Sequence, residues 1–188
     1  NDYMSVQKFK YPQLHKEGRE IFGQSRWGFV LDISQVFYHI EIHPEFYRYL
    51  GFSWKGKYYY WRCCPFGVSF GPWLWERVLS PVLDSLKKAG VNIMAFCDDI
   101  LGGKGQKPQA DEDGLRLRAT LQFHGYICQE IKCKGIGDAL PVIPGLGMII
   151  QLDQQKYLMT QKRQAQITSM AQGLLNSRYQ RARLLSKF

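Results

Sequence analysis

The sequence predicts a mixed α and β fold in which strands and helices interleave irregularly along 188 residues. Three observations lead there. Two short apolar runs, Phe29-Val30-Leu31 and residues 91–95, lead into acid, at Asp32 and at Asp98-Asp99, so two strands can carry carboxylates to one point. Residues 49–52 and 58–62 are aromatic segments on either side of Ser53-Trp54-Lys55-Gly56-Lys57, the pattern of a hairpin. Leu74, Val78, Val82 and Leu86 recur every four residues beside Trp75, Leu79 and Leu83, the period of a helix.

In chain order, residues 27–33 run apolar into Asp32 and read as a buried strand. Residues 37–42 alternate in part and stop at the breaker His43-Pro44. After the aromatic hairpin, Cys64-Pro65-Phe66-Gly67 reads as a turn or loop. Pro72 suits the first turn of the next helix and Gly90 its left-handed cap, with a kink or break expected at Pro81. Residues 91–101 read as a strand pair with the acids at its apex, and the polar, glycine-rich residues 102–114 as a loop. Residues 111–125 favour a helix capped by Asp111 and Gly125, although Leu115, Leu117, Ala119, Leu121 and Phe123 also alternate like a strand. Residues 145–152 form another apolar, strand-like run, and residues 162–188 have helical composition. The abrupt start at Asn1 and end at Phe188 suggest a segment of something longer, and no internal repeat is visible.

A hydrophobic fraction of 45% can fill a core, while no apolar stretch approaches the roughly 18 residues of a membrane span. With no basic-then-apolar start, the expected location is intracellular, cytoplasmic or nuclear. Five unevenly spaced cysteines suit reduced thiols, and His124, Cys128 and Cys133 lack the second pair a zinc site needs. The net charge of +9 favours a polyanionic partner. After Asp153 no acid follows, while Lys156, Lys162, Arg163, Arg178, Arg181, Arg183 and Lys187 do. Such a tail can track a phosphate backbone or form a solvated helical surface.

Adjacent carboxylates among strand-forming residues need positive charge nearby, because an unpaired buried charge costs several kcal/mol. Aspartate oxygens suit magnesium or manganese, and two such ions together stabilise the attacking and leaving oxygens of phosphoryl transfer. Asp32 and Asp98 are the primary candidate ligands. Neighbouring strand side chains point to opposite faces, so Asp99 joins them only if the backbone turns between the pair. An Asp-Asp pair is also a common turn dipeptide.

The ordered set Leu31-Asp32-Ile33, Phe37-Tyr38-His39-Ile40, His43-Pro44, Lys55-Gly56-Lys57, Cys64-Pro65-Phe66-Gly67 with Pro72, and Phe96-Cys97-Asp98-Asp99-Ile100-Leu101 resembles a retroelement reverse transcriptase. Gly125, Lys132-Cys133 and residues 145–150 continue the series in order. Within that family the chain is most similar to DIRS-type, tyrosine-recombinase elements, through Arg181-Ala182-Arg183-Leu184-Leu185 near its end, and next to gypsy-type elements.

The resemblance implies an α+β right-hand polymerase with an antiparallel palm sheet packed on helices. Residues 1–155 would be palm and incomplete fingers, and residues 156–188 the start of a helical thumb or connection. Asp32, Asp98 and Asp99 fall on the catalytic palm aspartates that bind two Mg2+ ions, or Mn2+, together with the backbone carbonyl of Ile33. Phe37 matches the aromatic gate that selects deoxynucleotides, with Gln35 and Val36 beside the nucleotide; a strand aromatic facing the core is its plainer reading. Phe66 and Gly67 match the loop supporting the incoming nucleotide, and Lys132 the lysine near the triphosphate. Leu146, Gly147 and Met148 match the primer grip, and Lys156, Lys162 and Arg163 fall where nucleic-acid backbone is held. Implied partners are an RNA or DNA template with primer, deoxynucleoside triphosphates, and RNase H and recombinase modules elsewhere in a polyprotein. The alternative is a catalytically silent or decayed fold kept as a nucleic-acid-binding module. Departures from the family pattern include Phe96 for tyrosine, Gly102-Gly103 for apolar strand residues, Gln129 for asparagine and Cys64 for leucine.

Overall fold

Short apolar segments need covering on whichever faces they expose, and here the covering comes from both sides. A computed structural model describes residue 10 and residues 16–176; Arg178, Arg181, Arg183 and Lys187 of the basic tail lie outside the described residues. The elements are α1 (Glu17–Phe22), β1 (Trp27–Asp32), β2 (Gly51–Trp54), β3 (Lys57–Tyr60), α2 (Gly71–Lys88), β4 (Ile93–Phe96), β5 (Asp99–Lys104), α3 (Lys107–Phe123), β6 (Val142–Gly145), β7 (Met148–Gln151), β8 (Lys156–Met159) and α4 (Gln161–Asn176).

β1, β5 and β4 form an antiparallel sheet in that order. Phe29, Leu31, Ile93, Ala95 and Ile100 point to one face, where Trp75, Leu79, Leu83 and Leu86 of α2 and Leu117 and Leu121 of α3 complete the larger core. Val30, Met94 and Leu101 point to the other and join Phe22 of α1 with Ile143, Ile150 and Leu152. Burial on both faces accounts for strands that read as continuous apolar runs instead of alternating ones. Each such side chain contributes about 2 kcal/mol on leaving water. A second antiparallel sheet, β6-β7-β8, lies on this second face, and β2-β3 is a separate, exposed hairpin.

Residues 37–42 are not a strand. Val36–His39 is a 3-10 turn entered through Gln35 in the left-handed region (φ 52°), and the buried Val36, Phe37 and Ile40 follow helical spacing. α2 runs through Pro81 without a break, its flanking Leu79, Val82 and Leu83 all anchored in the core. Gly90 caps it as expected: the Gly90 and Val91 N–H groups donate to the Lys87 and Leu86 carbonyls, and Gly125 and Tyr126 repeat the pattern on α3.

Residues 102–114 are not a loop. β5 continues through Gly102 and Gly103 because a Cβ at Gly102 would collide with the Phe29 ring, and one at Gly103 would lie 3.0 Å from Ser25. α3 then starts at Lys107, so Asp111 sits inside the helix and not at its cap; its Oδ1 accepts the Ala139 N–H at 2.6 Å and ties the following loop to the helix. The apolar run 145–152 is split by Leu146 (φ 53°) and Gly147 (φ 72°), successive left-handed residues suited to a two-residue hairpin between β6 and β7. The boundary expected after residue 155 falls in the turn joining β7 to β8, so the small sheet crosses it.

Candidate active site

The last residue of β1 and the first of β5 are a directly opposed pair, Asp32 and Asp99. Asp98 stands beside them in the two-residue turn Cys97-Asp98, closed by the Phe96–Asp99 pair of β4 and β5. Cys97 has φ 56°, a left-handed conformation for which glycine is the usual choice in such a turn. Two hydrogen bonds hold this unusual turn: Trp75 Nε1 of α2 donates to the Cys97 carbonyl at 2.8 Å, and the Ile33 N–H donates to the Asp98 carbonyl at 2.8 Å. Asp98 is thus a turn residue and Asp99 the first strand residue after it, and α2 and the end of β1 fix where the turn sits.

Asp32 is only 2% exposed. Its Oδ2 accepts from Lys132 Nζ at 3.0 Å, while its buried Oδ1 has no hydrogen-bond partner among the described residues. The Asp32 carboxylate beside it holds the Lys132 ammonium above its ordinary pKa. Burial pushes Asp99 up to about 6, helped by the negative charges of Asp98 and Asp32 and opposed by Lys132. Three acids at one sheet edge with a single lysine between them leave negative charge over, and an orphaned buried carboxylate oxygen is a hard donor awaiting a cation. That donor set fits a divalent ion of the magnesium type. Their side chains are gathered without converging: among the described residues, no three His, Cys, Asp or Glu side chains are placed to hold a metal together.

Lys132 reaches the site because its loop runs along the open edge of β1. The Ser34 and Val30 N–H groups donate to the Ile127 and Lys134 carbonyls, and the Gln129 N–H donates to the Asp32 carbonyl, each at 2.8 Å. Gln35 and Val36 lead from β1 into the 3-10 turn, where Phe37 is 8% exposed in the main core. Its ring makes a T-shaped contact with that of Phe66, 60% exposed, with centroids 5.1 Å apart, so the loop carrying Phe66 and Gly67 (φ 88°) is brought onto the Phe37 segment. Tyr38 joins them, 5.5 Å from Phe66 and stacked on Trp61 at 5.7 Å, a contribution not visible in the sequence.

Leu146 and Gly147 form the β6–β7 turn and Met148 opens β7. This hairpin is seated under β5: a Cβ at Gly145 would collide with Leu101, two residues from Asp99. Arg163, expected on the nucleic-acid backbone, donates from Nη1 to the Leu146 carbonyl at 3.2 Å, next to a Thr160 hydroxyl on Gly147. Lys156 and Lys162 are exposed on β8 and α4. None of the five cysteines is in a disulfide. No helix among the described residues is long and apolar enough to cross a membrane.

The family model described as "Reverse transcriptase (RNA-dependent DNA polymerase)" matches residues 3–161. The Pol polyprotein of equine infectious anemia virus (strain Wyoming) is 31% identical over 103 residues, covering 50% of this chain and 9% of its own length. The Pro-Pol polyprotein of simian foamy virus type 1 is 34% identical over 97 residues, 52% of this chain and 8% of its own. This chain thus spans less than a tenth of the length of either. Among solved structures, the foamy viral protease-reverse transcriptase dRH in complex with double-stranded DNA superposes with a TM-score of 0.71 at 18% identity, over 100% of this chain and 30% of that one. The foamy viral protease-reverse transcriptase in complex with an RNA/DNA hybrid gives 0.68 at 20% identity, over 78% and 19%. At such identities the likeness establishes the fold, a polymerase palm with fingers.

Proposed function

Since the chain belongs to the reverse transcriptase (RNA-dependent DNA polymerase) family, we propose that it is the palm and part of the fingers of an RNA-directed DNA polymerase, a nucleotidyltransferase that extends a primer with deoxynucleotides. The observation that carries this reading is the opposed pair Asp32–Asp99 with Asp98 in the adjoining turn, all at one end of a rigid antiparallel sheet.

Asp32, Asp98 and Asp99, with the Ile33 carbonyl, would hold two Mg2+ or Mn2+ ions, which when bound supply activation of the primer 3'-hydroxyl and charge stabilisation at the departing pyrophosphate. Every other part is done by the chain itself. Asp32 is fixed by its burial and by the Gln129 bond to its carbonyl, so its carboxylate keeps its position while substrates come and go. Phe37 stands firm as a gate beside the sugar because the core holds it, and the exposed Phe66 offers a face to the base. Gln35 and Val36 line the same turn, and Gly67 gives the Phe66 loop its left-handed bend. The Leu146-Gly147-Met148 turn, braced by Arg163, presents the primer terminus, and Lys156 and Lys162 meet phosphates.

The thumb or connection would begin with residues 156–188. Template and primer, RNA or DNA, are the proposed partners, in keeping with the hybrid and duplex complexes of the foamy viral relatives. We place the chain within a retrotransposon polyprotein of DIRS type, or next of gypsy type, alongside RNase H and recombinase modules and working in cytoplasm or nucleus.

The test is templated incorporation of deoxynucleotides by a longer protein with complete fingers and thumb, in Mg2+ or Mn2+. Asp98→Asn should lower the rate at least about a hundredfold, as loss of a charge-stabilising group does elsewhere. No incorporation from the wild-type protein in either metal would overturn the proposal.

A further inference from the structure

Lys132 and Asp32 lie 100 residues apart in sequence yet form a close ion pair, 3.0 Å from Nζ to Oδ2. The two ends of that pair are unlike. The Asp32 side chain is buried, whereas the lysine side chain is half-exposed, 54%, and reaches in from the protein surface. The lysine backbone is pinned on both sides, by Gln129 to the Asp32 carbonyl and by Lys134 to Val30, so only its flexible stem is free to swing. Its charge is also felt by Asp98 and Asp99. A carboxylate this buried needs a positive partner in every state of the protein, because leaving it alone is strongly destabilising. With no metal bound, Lys132 is that partner. A divalent ion taken up at the open Oδ1 of the same carboxylate would repel the ammonium on Oδ2, and the half-exposed lysine is the member of the pair with somewhere to go.

We infer that Lys132 is a resident counter-cation of Asp32 which a divalent metal must displace, so that metal loading releases the lysine into the nucleotide cleft. The inference rests on the polymerase reading and adds an order of events to it: the ammonium becomes available to phosphate only where Asp32 has exchanged it for metal. It also makes Lys132 a positioning residue toward the metal, one that weakens binding while the cleft is empty.

Binding of Mn2+ to the 188-residue chain, followed by the electron paramagnetic resonance signal of the free ion, tests this without any turnover. Lys132→Met should bind Mn2+ roughly three- to tenfold more tightly than wild type, and Lys132→Arg, which keeps the pair, should stay close to wild type. A Lys132→Met protein that binds Mn2+ equally or less tightly overturns the inference alone. If neither protein binds Mn2+ in a way that Asp98→Asn weakens, the inference and the metal-dependent polymerase reading fall together. Should Lys132→Met not fold, the wild-type chain decides: saturating Mn2+ should speed acetylation of Lys132, measured by mass spectrometry against Lys134, and an unchanged ratio overturns the displacement.

Discussion

Asp99 carries its charge at a cost that depends on pH. Its carboxyl titrates at about 6 in the fold against an ordinary 3.8, chiefly because it is buried and secondarily because Asp98 and Asp32 face it. Between those two values the folded chain binds more protons than the unfolded one, so stability falls as the pH rises from about 4 to about 6 and then levels. The whole shift corresponds to about 3 kcal/mol, and screening by solvent at this partly open site reduces it to about 1–2 kcal/mol. Urea unfolding in the presence of a chelator should therefore find Asp99→Asn more stable than wild type at pH 7 and equal to it below pH 4. A gain that persisted in acid would trace the effect to packing instead. At this scale the sequence was informative about Asp32 and Asp98, since an acid closing an apolar run has little other reason to be there. It was silent about what Lys132 touches without a family resemblance, because a partner 100 positions away leaves no local pattern.

β5 shows why an element can be misread while its neighbours are legible. Two consecutive glycines after the acids carry the local signature of a loop, and only a residue on another strand explains them: the Phe29 ring of β1 occupies the space a side chain at Gly102 would need. Gly114 of α3 borders the same ring, its would-be Cβ 3.4 Å away, so Phe29 sits in a slot cut by two glycines from different elements. Gly102→Ala should cost about 2 kcal/mol, in the range for overpacking a tight core. Pairing it with Phe29→Leu should recover part of that loss, giving a coupling energy in a double-mutant cycle. Strict additivity of the two would mean that the ring moves aside freely. The helices, by contrast, were legible through period and caps, because those signals lie within one turn of the chain. α1, β6 and β8 had no such signal; each is short, α1 and β6 being held by the residues they bury and the exposed β8 by its pairing with β7.

The layers of the molecule separate its two jobs. Helices α2 and α3 on one face and β6–β7 with α1 on the other clamp the central sheet, so the carboxylates at its end stand on a platform buried from both sides. At the periphery β8 and α4 carry Lys156, Lys162 and Arg163 on residues that are almost wholly exposed and include no acid. The one-sided charge was plain in the sequence, but which cations are free to meet a phosphate was not. Arg163 donates to the Leu146 carbonyl at 3.2 Å, whereas Lys156, 3.4 Å from the Gln154 amide oxygen, and Lys162 project from exposed surfaces. Binding to a primer–template duplex, measured by fluorescence anisotropy over a salt series, should distinguish them. Each phosphate contact contributes about 0.9 to the slope of log K against log salt, so the double change of Lys156 and Lys162 to glutamine should flatten it by nearly 2 at unchanged thermal stability. Arg163→Gln should instead lower the melting temperature and leave most of the slope in place, since what it loses is the brace on the β6–β7 turn. If the two variants exchanged these signatures, the arginine would be the phosphate ligand and the hairpin would stand without it.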